Sequence, residues 1–262
     1  MTQIVVATVN VNGIRAAFRR DMAGWLASAA PDVLLLQEVR ADAAIVTELL
    51  DGWHVVHEPA QEVGRAGVAV AARSELVDPR LGLGTGVGGD QGRWVEAGVD
   101  VGGTVVRFVS LYLHSASVDH PSLDAKYAYL EHVTARMTEL GQVPAIVGGD
   151  LNIAHHEVDI KNWKGNIGKS GFLVEERAWL DRWTTEMSWT DVGRALGGPG
   201  PGPFTWWSWR GRAFDNDTGW RIDYQFTSPA FVGTAVAARV DRAPSYAERF
   251  SDHAPMVATY DI

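Results

Sequence analysis

Cysteine is absent from the 262 residues, which rules out disulfides, thiolate zinc sites and a cysteine nucleophile. No apolar run approaches the roughly 20 residues that span a bilayer. Met1 leads directly into a strand-like stretch at 3–9, with no basic-then-apolar leader. The expectation is a cytoplasmic protein without a membrane partner. Basic residues are in deficit: 23 Lys and Arg stand against 32 Asp and Glu, a net charge of −9. That argues against holding nucleic acid by bulk charge. It leaves room for an enzyme that gathers carboxylates for a cation beside a local basic patch. There is no low-complexity tract and no compositional break, so residues 1–262 are expected to form one domain, long enough to bury a core without staples.

What is present is organised around Gly148-Gly149-Asp150-Leu151-Asn152. It closes an apolar run at 143–147 that reads as a short buried strand. The glycines let the backbone approach something closely. If strand geometry continues, Asp150 and Asn152 project to one face. A carboxylate beside an amide at a strand end suits metal-assisted hydrolysis, the one orienting or deprotonating water and the other stabilising an oxyanion. The same residues also make a good turn.

Other strand ends carry similar groups. The strand at 3–9 ends in Asn10-Val11-Asn12-Gly13, two amides with the spacing of Asp150 and Asn152. A helix is expected over 15–29. The buried run 33–36 ends in Gln37-Glu38, where a carboxylate needs a partner or a cation. A helix at 41–50 and strands at 53–57 and 65–73 follow. Gly84, Gly86 and Gly89 fit G-x-G-x-x-G, but 91–100 reads as strand rather than helix, so a dinucleotide site is rejected for a mobile surface loop. Strands 94–99 and 104–113 pair as a hairpin, the second ending near Tyr112 and Ser115. A long amphipathic helix covers 121–140.

The polar loop 154–171 holds His155, His156, Lys161, Lys164 and Lys169. Neighbouring histidines rarely share an ion without further ligands, so solvated residues are the simpler reading. A helix is expected at 172–187, a strand-like Trp cluster at 204–209, a strand at 220–224 carrying Asp223, and Ser251-Asp252-His253 before a last strand at 256–260. Asp223 could orient His253. The collected groups are hard oxygen donors plus one imidazole, which suits Mg²⁺ and not a closed zinc site.

The ordered set from Asn10 to Arg15, Leu36 to Glu38, Tyr112, Gly149 to Asn152, Gly219 to Asp223 and Ser251 to His253 resembles the exonuclease III family of apurinic/apyrimidinic (AP) endonucleases, among the DNase I-like metal phosphoesterases. The resemblance runs from the first strand to the last. It implies an α/β fold, a four-layer α-β-β-α sandwich of two mixed β-sheets flanked by helices. It implies Mg²⁺-dependent hydrolysis (Mn²⁺ substituting) of the phosphodiester 5′ to an abasic site in double-stranded DNA, leaving a 3′-OH. Further action on blocked 3′ ends, as 3′-phosphatase, 3′-phosphodiesterase or 3′→5′ exonuclease, is also implied, by a monomer.

By matching motifs, Glu38 is the main metal ligand, with Asn10 and Asp252 nearby and Asp150, Asn152 and His253 within the same set. Asp150 holds or deprotonates the attacking water, and Asn152 stabilises the charged transition state. His253, oriented by Asp223, binds the scissile phosphate; Tyr112 contacts it or assists the leaving oxygen. Trp206, Trp220 and Ile222 fall where the family forms a pocket for a flipped-out, base-less sugar, and Arg210 where a side chain enters the duplex. Asn12 and Ser115 complete the substrate set, with Arg15, Lys126, Asn166 and Lys169 on backbone phosphates. The stretch 154–172 resembles the subgroup in which AP endonuclease activity dominates. Two departures stand out: His114 replaces a usual proline and Ser115 a usual amide, both expected near the scissile phosphate. The acidic net charge predicts weak, salt-sensitive non-specific binding. The rival readings are a same-group phosphoesterase acting on inositol phosphates, sphingomyelin or RNA, which should lack the Trp206/Trp220/Ile222 pocket, and a non-catalytic scaffold, which should have lost Glu38, Asp150, Asp223 or His253.

Overall fold

β-Branched and alternating runs build two six-stranded sheets, their strands numbered here in chain order. The computed structural model describes residues 2–62, 64–84 and 91–262; most of the expected glycine-rich loop, with Gly86 and Gly89, lies outside the described residues. The first sheet holds β1 (Gln3–Asn10), β2 (Val33–Gln37), β3 (His54–Glu58), β4 (Val68–Ala72), β11 (Ala235–Val240) and β12 (Met256–Asp261). The second holds β5 (Leu76–Leu81), β6 (Trp94–Val101), β7 (Thr104–Tyr112), β8 (Ala145–Asp150), β9 (Thr190–Asp191) and β10 (Asp223–Thr227). Their orders are β11-β12-β1-β2-β4-β3 and β5-β6-β7-β8-β10-β9. Each sheet has one parallel pair near its centre, β1 with β2 and β7 with β8.

Strand periodicity explains the layers. In β2, Leu35 faces the other sheet and packs with Val6, Val70, Phe108, Ile146, Met256 and Tyr260. Its neighbours Leu34 and Leu36 face outward. There they meet Ile14, Met22, Leu26 and Val46 from the helices α1 (Ile14–Arg19), α2 (Met22–Ala29) and α3 (Ala43–Leu49). On the far side, Val109, Leu111 and Val147 pack against Leu130, Val133 and Met137 of α4 (Pro121–Leu140) and Leu180 of α5 (Val174–Asp181). Helices thus cover both outer faces, giving the expected four-layer sandwich.

Buried polar groups lock the sheets in register. Gln37 Nε2 donates to Ser110 Oγ at 2.9 Å, and Ser110 Oγ to Leu36 O at 2.7 Å. Tyr260 OH donates to Gln225 Oε1 at 2.7 Å, while Gln225 Nε2 donates to Val6 O and Met256 O. Each such buried bond is worth about 1 kcal/mol net and costs more if one partner is lost.

Several elements differ from expectation. The helix expected at 15–29 is two helices, because Asp21 takes φ 67° and its carboxylate accepts from Gly24 N at 3.1 Å, capping α2. The helix expected at 172–187 is α5 followed by a π turn, Arg182–Glu186. Thr184 and Thr185 hydroxyls bond back to Leu180 O and Asp181 O, which bends a helix. Residues 204–209 form only isolated bridges, Trp206 to Trp220 and Trp206 to His253. The pattern gave no sign of β5, where Pro79 is tolerated because the strand lies at a sheet edge. Nor did it signal the two-residue β9, α6 (Val192–Gly197) or β11.

Candidate active site

The parallel pairs bring the ends of β1, β2, β7 and β8 to one side of the molecule. Asn10 pairs with Gln37, Tyr112 with Asp150, and Asp150 with Asp223 at the start of the antiparallel β10. Gly149 is what permits the approach: a Cβ there would lie 1.7 Å from Leu111 O. β8 therefore continues through the glycines to Asp150 rather than ending before them.

Asp150 and Asn152 meet by a turn, not by strand alternation. Asn152 has φ 50°, its N–H donates to Asp150 Oδ1 at 2.9 Å, and its Nδ2 lies 3.2 Å from Asp150 Oδ2. Asn10 and Asn12 repeat this: Asn12 has φ 47° and its N–H donates to Asn10 Oδ1 at 3.0 Å. The turn and the functional reading of these segments are one geometry.

From this frame a network spreads. Asn10 Nδ2 donates to Glu38 Oε1 at 3.0 Å and to Asp150 Oδ2 at 2.9 Å. Tyr112 OH donates to Glu38 Oε1 at 2.9 Å. His253 Nδ1 pairs with Asp223 Oδ2 at 2.9 Å and turns Nε2 toward Asp150 Oδ2, 3.8 Å away. Asp252 accepts from Asn12 Nδ2 at 2.8 Å and from Trp206 Nε1 at 3.1 Å. Thr205 Oγ1 accepts from the N–H groups of Ile222 and Asp223 and fixes the start of β10.

Burial pushes the Asp150 carboxyl up to about 7, with Asp223 and Glu38 adding to it and His253 and Asn10 opposing. Burial disfavours a charge on His253, yet Asp223, Asp150 and Asp252 outweigh it and carry the imidazole up to about 10. His253 therefore holds its second proton at neutral pH and presents an N–H to the cavity. Burial, with Glu38 and Asp150, keeps Tyr112 well above the usual phenol value, so it acts as a donor and not as a base.

These groups wall one side of a cavity of about 320 Å³ that Trp206, Trp220 and Ile222 wall on another. Trp206 and Trp220 stand edge to face, centroids 6.0 Å apart. Gly171, at φ 86°, lies beneath Trp220, where a Cβ would come within 2.9 Å of the indole. Asn12 and Ser115 also line the cavity.

The donor set fits a hard divalent cation. Glu38, Asp150 and Asp252 supply carboxylates within one cavity, and Asp223 Oδ1 is buried without a hydrogen-bond partner. Asp150, Asp223 and His253 offer ligand atoms all within 4.8 Å of one another. The protonated imidazole of His253 suits an anionic phosphate better than a cation. Asn152 commits its amide N–H groups to Leu113 O and Asp150, so it orients Asp150 and has no N–H left for a substrate.

Of the residues expected on DNA phosphates, Lys126 is corrected. It is fully buried, donates to Glu176 Oε1 at 2.8 Å and to Asn152 O at 3.0 Å, and cannot reach a duplex. Arg15, Lys169 and Arg210 are exposed and Asn166 partly so, all outside the cavity lining. His114 also departs from its expected place: Nε2 bonds Ser122 O at 3.0 Å, at the start of α4, and the ring does not line the cavity. Sequence reasoning missed Arg40, whose guanidinium pairs with Glu38 Oε2 at the cavity wall. Its signal was a basic residue two positions beyond a carboxylate at a buried strand end.

Comparison with known proteins agrees with this architecture. An exodeoxyribonuclease of Bacillus subtilis is 30% identical over 97% of this chain and 98% of its own. The solved 3′ phosphatase NExo from Neisseria, bound to a product DNA hairpin, superposes with a TM-score of 0.86 at 29% identity, covering 99% of this chain and 100% of that one. An AP endonuclease from Archaeoglobus fulgidus gives 0.85 at 26%, with the same coverage. No helix among the described residues is long and apolar enough to cross a membrane. Residues 7–253, from the first strand to the histidine of the cavity, match the endonuclease/exonuclease/phosphatase family, and the chain belongs to it.

Proposed function

We propose that this chain is a Mg²⁺-dependent AP endonuclease of base excision repair, acting as a cytoplasmic monomer of one domain on double-stranded DNA. The reaction hydrolyses the phosphodiester 5′ to an abasic site; blocked 3′ ends are secondary substrates. One observation carries the proposal: a single cavity joins Asp150, Glu38 and His253 to the apolar wall of Trp206, Trp220 and Ile222. A sugar without its base is cheap to extrude, and an aromatic slot admits it while excluding a nucleotide.

Glu38 would hold the cation, with Asn10, Asp150 and Asp252 as the further groups available to it. When bound, Mg²⁺ neutralises charge on the phosphate and favours attack by water. Asp150, held by three N–H donors from Asn10 and Asn152, positions the attacking water and takes its proton. The water oxygen bonds to phosphorus as its proton passes to Asp150, the bond from phosphorus to the 3′ oxygen breaks, and that oxygen takes a proton from solvent and leaves as the 3′-OH, Asp150 later returning its own to solvent. His253 donates to a non-bridging phosphate oxygen, kept charged and oriented by Asp223. Tyr112 remains a phenol that can donate to the phosphate or to the leaving oxygen. Arg15, Asn166, Lys169 and Arg210 contact the flanking duplex.

The test is cleavage of a duplex with one abasic-site analogue beside an undamaged duplex with a recessed 3′ end, each with Mg²⁺ and with chelator. Incision at the abasic site, abolished by chelator and weakened by Trp220→Ala, supports the proposal. Preferential shortening of the undamaged 3′ end, or cleavage that survives chelator, overturns it.

A further inference from the structure

Among the described residues, a second group of metal-capable side chains lies outside the active site: His155, His156 and Asp181, with ligand atoms all within 4.8 Å of one another. Adjacent histidines need a further ligand to hold an ion, and the fold supplies it. Asp181, the last residue of α5, brings Oδ1 to 2.8 Å from His155 Nε2. The His155 ring stacks on His156 with centroids 3.7 Å apart.

The inner ligand is held rigidly. Ala154 N donates to Gly171 O, Arg177 Nε to His155 O at 2.6 Å, and His156 N to Asp159 Oδ2 at 2.9 Å. His155 is 4% exposed, whereas His156 and Asp181 are open, so an ion can arrive from solvent against a fixed imidazole.

We propose that His155, His156 and Asp181 form a second metal site, selective for a transition divalent cation such as Zn²⁺ or Co²⁺. Two imidazole nitrogens and one carboxylate oxygen are a donor set for such ions, with water in the fourth position, while Mg²⁺ prefers the oxygen-rich cavity around Glu38. When the ion binds Nε2, the single proton that a neutral His155 ring directs at Asp181 Oδ1 moves to Nδ1, so the ring stays neutral and the carboxylate turns from accepting that proton to facing the ion. Binding ties the start of the 154–171 loop to the end of α5. Because Ser170 and Gly171 of that loop line the active cavity, an ion here stiffens one wall of it.

The test uses the whole chain, stripped with chelator, saturated with Mg²⁺ to fill the cavity around Glu38, and titrated with Co²⁺. The visible d–d absorption and the melting temperature are read together. The expected result is a saturable Co²⁺ band and a raised melting temperature. Both should persist in Glu38→Gln and weaken by roughly 10-fold or more in apparent affinity in His156→Ala and in Asp181→Asn, since even outer-shell partners of a metal cost that much. His156 and Asp181 are exposed, so their replacement removes no core packing, and the melting curve without metal checks that each variant is folded. No Co²⁺ band above the Mg²⁺ baseline overturns the proposal. So does a band that His156→Ala and Asp181→Asn leave unchanged, or one that Glu38→Gln abolishes.

Discussion

Asp150→Asn replaces a carboxylate on which four nitrogen donors converge. Asn10 Nδ2 lies at 2.9 Å, Asn152 N at 2.9 Å, Asn152 Nδ2 at 3.2 Å and His253 Nε2 at 3.8 Å. An amide has one acceptor oxygen, so either rotamer turns its NH₂ toward a donor: toward Asn152 N in one, toward Asn10 and Asn152 Nδ2 in the other. A buried donor left unpaired costs about 1–3 kcal/mol. Against this, the neutral side chain escapes the burial that raises the Asp150 carboxyl, and the repulsion from Asp223 and Glu38. The two terms have opposite sign and similar size, so stability should change by less than about 2 kcal/mol. Catalysis has no such compensation. Without a group to orient the water and take its proton, single-turnover incision should fall by roughly 10²–10⁴, or about 2.7–5.4 kcal/mol. The assay is single-turnover cleavage of an abasic duplex in saturating Mg²⁺, with DNA affinity measured in chelator and a melting curve on the same preparation. Affinity should hold or tighten, since a negative charge has left a phosphate site. Wild-type turnover would refute the role given to Asp150, as would a loss of turnover accounted for by lost DNA binding.

Lys126→Met should cost about 3–5 kcal/mol in urea unfolding, because it leaves Glu176 charged and buried without its cation. The double variant Lys126→Met/Glu176→Leu should recover most of that, and a single variant as stable as wild type would show that the pair is dispensable. Glu38→Gln should raise the Mg²⁺ concentration for half-maximal cleavage by roughly 10-fold or more, and an unchanged Mg²⁺ titration would take Glu38 out of the metal site. His57 carries no hydrogen bond on either ring nitrogen, and burial lowers it from 6.5 to about 4 despite Asp42. Across that window the unfolded chain takes up more protons than the folded one, so stability present above pH 6.5 is lost as pH falls toward 4. The melting temperature of His57→Leu should therefore decline less on acidification than that of wild type; parallel declines would mean that other groups set the slope.

The candidate site was legible in the sequence wherever its groups sit at the end of a buried strand. Glu38 follows β2, Asp150 ends β8 and Asp223 opens β10, and a charged residue closing an apolar run is visible without any tertiary knowledge. What stayed hidden depends on partners distant in sequence. Lys126 and Lys169 are the same residue type, each set in a polar stretch. Only the packing of α4 against the 152–176 segment buries the first, where Glu176 also accepts from Ser170 Oγ and the N–H groups of Gly171 and Leu173. The second remains in solvent. Strand reasoning brought Asp150 and Asn152 together for the wrong reason: alternation would aim both side chains outward, whereas the left-handed turn at Asn152 folds the amide back onto the carboxylate. That difference changes the chemistry assigned to the pair. On the proposed function, an amide aimed at the substrate would stabilise charge on the phosphate, whereas one bonded to Asp150 and to Leu113 O would hold Asp150 in place. On that same proposal, the burden of meeting the phosphate charge would then fall on His253, whose ring Asp223 orients across 30 positions of sequence, a pairing the lone carboxylate in an apolar run had already suggested.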